Sequence, residues 1–211
     1  MPHRLARALC DEKALPIKEL FESFEVFERV RRRLRAAVVA DLCCGHGLTG
    51  ALFAIFARDT EQVILLDHKR PQSHAHVMRA IERVAPWAPA KVRYVEARVQ
   101  RAREHVPDGA SVVALHACGS RTDRCIDLAV ERRGALALVP CCYFGTAQAA
   151  PPALREALGP RLATDVHRTY RLEQAGFRVE WSAIPRAVTA MNRVLVARPR
   201  EEKRADKKRA T

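Results

Sequence analysis

Residues 37–47 read Ala37-Val-Val-Ala-Asp-Leu-Cys-Cys-Gly-His-Gly47, and the apolar stretch Leu48-Thr-Gly-Ala-Leu-Phe-Ala-Ile-Phe-Ala57 follows at once. The first six residues are a short apolar run bounded by turn residues, which is how a buried strand reads. Gly45 and Gly47 then allow a tight turn whose backbone stays open to a ligand, because side chains are excluded there. The ten residues after it carry a helix. One strand–turn–helix unit of this kind decides the fold, since the same rhythm recurs down the chain.

Val63-Ile-Leu-Leu-Asp67 is the second strand, with a helix to follow over His76–Val84. Lys91–Glu96 is the third strand and Ala110–His116 the fourth. Thr122 or Asp123 caps the next helix, which runs to about Arg132, and Ala135–Val139 is the fifth strand. A Pro/Ala-rich link then leads to a short helix over Thr169–Gln174, closed by Gly176. Phe177–Ile184 and Arg193–Arg198 come last, separated only by Pro185 to Asn192. That gap is too short for a parallel crossover, so the last two strands pair antiparallel. The expectation is an α/β, Rossmann-like sheet of seven strands: five parallel strands, an antiparallel C-terminal hairpin, and helices on both faces.

Ahead of this unit, Ile17, Leu20, Phe21, Phe24, Phe27 and Val30 fall at helical spacing, with Glu19, Glu22, Glu25 and Glu28 on other faces. Residues 1–35 therefore read as a helical cover, 36–199 as the main domain and 200–211 as a basic, flexible tail. The 211 residues hold 37 Lys and Arg against 24 Asp and Glu, a net charge of +13. An excess of that size biases the surface towards polyanions. Hydrophobic residues make up 48% of the chain, enough for a core, so disorder throughout is excluded. No run approaches the ~20 apolar residues of a membrane span. No stretch of signal-peptide length opens the chain, and the seven cysteines include two adjacent pairs. Reduced thiols in the cytoplasm are expected.

The chemistry-bearing residues gather at strand ends. Asp41-Leu-Cys-Cys-Gly-His-Gly47 resembles the first motif of S-adenosylmethionine-dependent methyltransferases, Asp-x-Gly-x-Gly-x-Gly, with Cys43 at the first glycine. Gly45-His-Gly-Leu-Thr-Gly50 also spells the dinucleotide pattern Gly-x-Gly-x-x-Gly, with Asp67 at a distance suited to a ribose. The acid four residues before Gly45 and the closing hairpin favour the methyl donor. Leu115-His-Ala-Cys-Gly-Ser-Arg-Thr-Asp123 and Val139-Pro-Cys-Cys-Tyr143 then resemble a methyltransferase-like domain family with His-x-Cys-Gly-x-x-Thr-Asp after strand four and Pro-Cys-Cys-Tyr after strand five. Related signatures occur in tRNA 2′-O-methyltransferases, which carry histidines where Tyr143-Phe144 stands here and a zinc-finger module this chain lacks.

The resemblance spans roughly residues 17 to 198 and implies S-adenosyl-L-methionine as cofactor. Asp41, Cys43, Gly45 and Gly47 line the donor, with Asp41 near its ammonium. Asp67 and His68 lie by the ribose, Glu96 and Ala97 by the adenine, and His116 and Cys118 close the site. His116 or Asp123 acts as base and Tyr143 positions an acceptor, although Asp123 equally suits a helix cap. RNA is the expected partner, with a small molecule or a protein as the other substrate classes, and a non-catalytic binding domain as the third reading. No metal is expected: His116, Cys118, Cys141 and Cys142 are imaginable ligands, but adjacent cysteines do not match zinc-knuckle spacing. His167, Arg168 and Arg171 share one helical turn, which suits a phosphate contact or a solvated face. Asn192 and Arg193 stand beside the acceptor pocket.

Overall fold

In the computed structural model, which describes residues 1–143 and 149–200, seven strands form one sheet. They are β1 (Val38–Leu42), β2 (Gln62–Asp67), β3 (Val92–Glu96), β4 (Ser111–Leu115), β5 (Leu136–Val139), β6 (Phe177–Ala183) and β7 (Arg193–Pro199). Their order is β3-β2-β1-β4-β5-β7-β6. β1 pairs in parallel with both β2 and β4, β2 with β3 and β4 with β5, while β7 runs antiparallel to β5 and β6. The expected architecture is therefore the observed one. The winding reverses at β1, so the carboxyl ends of β1 and β4 border the crevice where open α/β sheets bind ligands.

Period-two alternation supplies both faces of the sheet. Val39, Val63, Leu65 and Val113 belong to one apolar cluster; Ala40, Ile64, Leu66 and Val112 belong to the other. Helices α3 (Leu48–Phe56) and α4 (Gln72–Val84) cover the first face, and α5 (Ser120–Arg132) and α6 (Pro152–Gln174) the second.

Two N-terminal helices, α1 (Pro2–Asp11) and α2 (Ile17–Val30), join the first cluster through Leu5, Leu9, Leu20, Val26 and Phe27. Phe27 meets the Phe53 ring edge-on, with centroids 5.0 Å apart. These helices thus share the core of the sheet. Within the helical cover expected over residues 1–35, α1 buries Leu5, Ala8 and Leu9 on one face.

The stretch read as a Pro/Ala-rich link is most of α6. Pro152 sits at its first turn, where a missing N–H costs nothing, and the chain bends at Gly159 (φ 72°) before Pro160 restarts the helix. Thr169–Gln174 is only its last part. At the far end, the Arg200 N–H donates to the Gly176 carbonyl at 2.8 Å. Residues 201–211, which hold all but the first residue of the expected tail, lie outside the described residues. Among the described residues no helix is long and apolar enough to cross a membrane.

Candidate functional site

The bend after β1 has a backbone shaped by sterics. Cys43, Gly45 and Gly47 all have positive φ, at 55°, 52° and 80°. A Cβ on Gly47 would come within 2.5 Å of Leu65 Cδ1, so glycine is required there by packing as well as conformation. At Gly45 a Cβ would meet nothing within 4 Å; it would project into open space. The Gly47 N–H closes the turn on the Cys44 carbonyl at 2.8 Å, and the Tyr94 hydroxyl donates to the Gly45 carbonyl at 2.9 Å. Sequence reasoning missed Tyr94, which reaches the turn from β3.

Asp41 lies beneath this bend, 1% exposed. Its Oδ2 accepts the Gly50 N–H at 2.8 Å, while its buried Oδ1 has no partner. Burial pushes the carboxyl up to about 7; the Gly50 hydrogen bond resists this and the Asp67 charge adds to it. Asp41 lines a cavity of about 270 Å³ together with Lys18, Glu22, Gly45, His46 and His116.

Asp67 ends β2 on the other side of Cys43. Its Oδ2 accepts the Gly45 N–H at 2.8 Å and its Oδ1 accepts the His68 N–H at 2.6 Å. A second cavity of about 270 Å³ is bordered by Cys43, Asp67, His68, Arg98, Val99 and Arg121. Cys43 borders both cavities. Glu96 departs from its expected place: its carboxylate faces Arg70 at 3.7 Å and lines neither cavity. Ala97 instead uses its N–H to fasten the strand end to the Asp67 carbonyl at 2.9 Å. Arg98 and Val99, next in sequence, border the second cavity.

His116 takes a left-handed backbone conformation (φ 64°) at the end of β4. Strain of this kind concentrates where geometry is held for function. Its Nε2 lies 3.1 Å from Glu22 Oε1, and its Nδ1 is buried without a partner. Glu22, read on a face of α2 other than its apolar one, is 1% exposed. Burial alone would raise its pKa, but hydrogen bonds from Thr189 and His116 and the nearby charges outweigh that and hold it below the usual carboxylate value. The ionised carboxylate can only accept, so the contact runs from Nε2–H to Oε1 and fixes the ring's orientation.

The remaining predicted residues do not join this cleft. Cys118 Sγ lies 2.9 Å from Cys141 Sγ, and Cys141 Sγ 3.7 Å from Cys142 Sγ. Burial and the neighbouring thiols raise the Cys141 pKa far above the ordinary thiol value, the opposite of an activated nucleophile. Tyr143, expected to position an acceptor, is buried instead: its hydroxyl donates to Asp165 Oδ2 at 2.7 Å and accepts from Arg193 at 3.0 Å. Asp123 is neither free base nor cap. Its Oδ2 accepts from Arg168 at 3.0 Å and its Oδ1 from Arg171 at 3.0 Å. Arg168, expected at a phosphate or in solvent, is buried between Asp123 and Asp165. Asn192 donates to the Ile184 carbonyl at 2.8 Å and closes the β6–β7 connection. Phe144 lies outside the described residues.

A family model described as "Methyltransferase domain" matches residues 12–148. A Xenopus laevis glutathione S-transferase C-terminal domain-containing protein is 32% identical over 105 residues, covering 50% of this chain and 16% of that protein. The Homo sapiens protein of the same name is 29% identical over 105 residues, 50% of this chain and 15% of that one. The chain spans about a sixth of the length of these relatives. Among solved structures, precorrin-6y C5,15-methyltransferase from Geobacter metallireducens has a TM-score of 0.53 at 17% identity, covering 83% of this chain and 86% of that chain. Small RNA methyltransferase HEN1 has a TM-score of 0.56 at 13% identity, covering 83% and 25%. M. capricolum TrmK, solved with S-adenosyl-homocysteine, has a TM-score of 0.51 at 7% identity, covering 83% and 68%. At such identities the likeness is one of fold.

Proposed function

The chain belongs to the methyltransferase-domain family, and from that premise we propose that it is an S-adenosylmethionine-dependent methyltransferase acting on RNA in the cytoplasm. The observation that carries the cofactor assignment is Asp41 Oδ1, a buried acceptor left without a donor at the floor of a glycine-lined cleft. An unsatisfied buried carboxylate oxygen is costly, and a ligand ammonium removes that cost. The open space over Gly45 admits a ligand against the backbone. The residues present thus fit the donor. Asp41 would hold its ammonium; Asp67 and His68 would take its ribose; Arg98, Val99 and Arg121 would border its base. When bound, the cofactor supplies an electrophilic sulfonium methyl.

The chain's own contribution is alignment and proton removal. Glu22 fixes the His116 ring and keeps the proton on Nε2. His116, which lines the cavity beside Asp41, is then the group that takes the acceptor's proton. Lys18, 3.2 Å from Glu22, balances charge at the rim. Support for RNA comes from the net charge of +13, and from fold neighbours whose names specify RNA, such as small RNA methyltransferase HEN1.

The test incubates the full chain with methyl-labelled donor and separate RNA, protein and small-molecule fractions of a lysate. Label in RNA is expected. Binding to RNA through Z phosphates should weaken with salt at a slope of about −0.7Z on logarithmic axes. Label confined to protein or small molecules refutes the RNA assignment. Absence of S-adenosylhomocysteine binding by calorimetry refutes the cofactor assignment and leaves a non-catalytic domain.

A further inference from the structure

Independently of methyl transfer, we propose that Cys118, Cys141 and Cys142 form a three-thiolate site for a soft divalent cation, with zinc as its natural occupant. The three sulfurs lie within 4.8 Å of one another, and each residue is half-buried. They come from two neighbouring strand ends: Cys118 from the turn after β4, the adjacent pair from the turn after β5. The backbone holds those turns together without help from the thiols. The His116 N–H donates to the Val139 carbonyl at 3.1 Å, and the Gly119 N–H to the Cys142 carbonyl at 3.0 Å. The ligands are therefore gathered before any ion arrives.

Adjacent cysteines in an extended strand would face opposite sides. β5 ends at Val139, so Cys141 and Cys142 lie in irregular backbone, and their sulfurs are 3.7 Å apart. Zinc–sulfur bonds of about 2.3 Å in tetrahedral array separate the sulfurs by about 3.8 Å. The pair already has that spacing. Cys118 Sγ, 2.9 Å from Cys141 Sγ, has to swing outward by about 1 Å, within reach of a side-chain rotation. Thiolates select soft cations over magnesium or calcium. Arg121, whose Nε donates to the Cys118 carbonyl at 3.2 Å, brings positive charge to offset the surplus negative charge of three thiolates around a divalent ion. Among the described residues no His, Asp or Glu joins the group, so His116 is not a ligand and the fourth position stays open to water.

The experiment uses the full chain, kept reduced with a phosphine, stripped with chelator and titrated with zinc against a competing chromophoric chelator. One equivalent is expected to bind. Cobalt in its place should give sulfur-to-metal charge-transfer absorption in the near ultraviolet. Cys118→Ser, Cys141→Ser and Cys142→Ser should each weaken zinc binding by about 100-fold or more, while Cys10→Ser, on the exposed side of α1, should leave it unchanged. Should a variant fail to fold, alkylation of the unmodified chain decides: zinc should protect those three cysteines and not Cys10, as mapped by mass spectrometry. No stoichiometric binding, protection of other cysteines instead, or a Cys118–Cys141 disulfide that persists in reductant would overturn the proposal. Neither donor nor RNA enters these measurements, so their outcome is separate from that of the methyl-transfer test.

Discussion

Asp41→Asn should make the protein more stable and a poorer cofactor binder, and the pH dependence gives the size of both effects. The folded carboxyl has its pKa raised from an ordinary 3.8 to about 7. Between those values the folded state holds a proton that the unfolded state has released, so stability declines as pH rises through that window. At 1.36 kcal/mol per pH unit, the penalty accumulated by pH 8 is about 4 kcal/mol. Asn keeps an oxygen for the Gly50 N–H and never ionises, so it avoids that penalty; its unpaired amide returns about 1–2 kcal/mol of it. Urea unfolding at pH 8 should therefore show a gain of about 2–3 kcal/mol, shrinking towards zero near pH 5. Calorimetry should show S-adenosylhomocysteine binding weakened by about 1–3 kcal/mol, because an ammonium loses its charged partner. In the unmodified protein, cofactor binding at pH 6 should take a proton off Asp41 and be weaker than at pH 8. Equal stability of the two proteins at pH 8, or a gain that does not vary with pH, would refute the reasoning.

Arg168→Met leaves Asp165 and Asp123 short of a buried partner and should cost about 3–5 kcal/mol in urea unfolding; a loss under 1 kcal/mol would show that the network is not needed. Gly47→Ala combines a left-handed backbone with a Cβ only 2.5 Å from Leu65, so its melting point should drop by several degrees, and an unchanged value would contradict the tight turn. Glu22→Gln should lower kcat about 100-fold with little change in KM, since it alters the proton position on His116 without touching the cleft floor; equal losses in both constants would mean a binding role.

The sheet was legible because its strands are short apolar runs separated by helix-length stretches, and the antiparallel hairpin because eight residues cannot make a crossover. Asp41, Gly45, Gly47 and Asp67 were legible for the same reason: each sits at a fixed offset from a strand end. What escaped was long-range. Glu22 has the ordinary sequence signature of a helix surface, and only the fold reveals that this surface faces His116 94 residues away. Arg168 and Tyr143 resemble ligand-contacting residues until the structure shows each neutralising or bonding a buried carboxylate. The thiol trio was named and set aside, because knuckle spacing describes ligands on one hairpin, whereas these come from two separate strand ends.

The bend in α6 divides it into two arms with different duties. Beyond Pro160, Asp165 and Arg168 knot the second arm into the interior; before it, Leu158 stands open to solvent, and a Cβ at Gly159 would meet nothing within 4 Å. The joint uncouples the two. Changes before Gly159 should therefore leave the Asp165–Arg168 ion pair in place, so the leading arm is free to vary in a way the second arm is not.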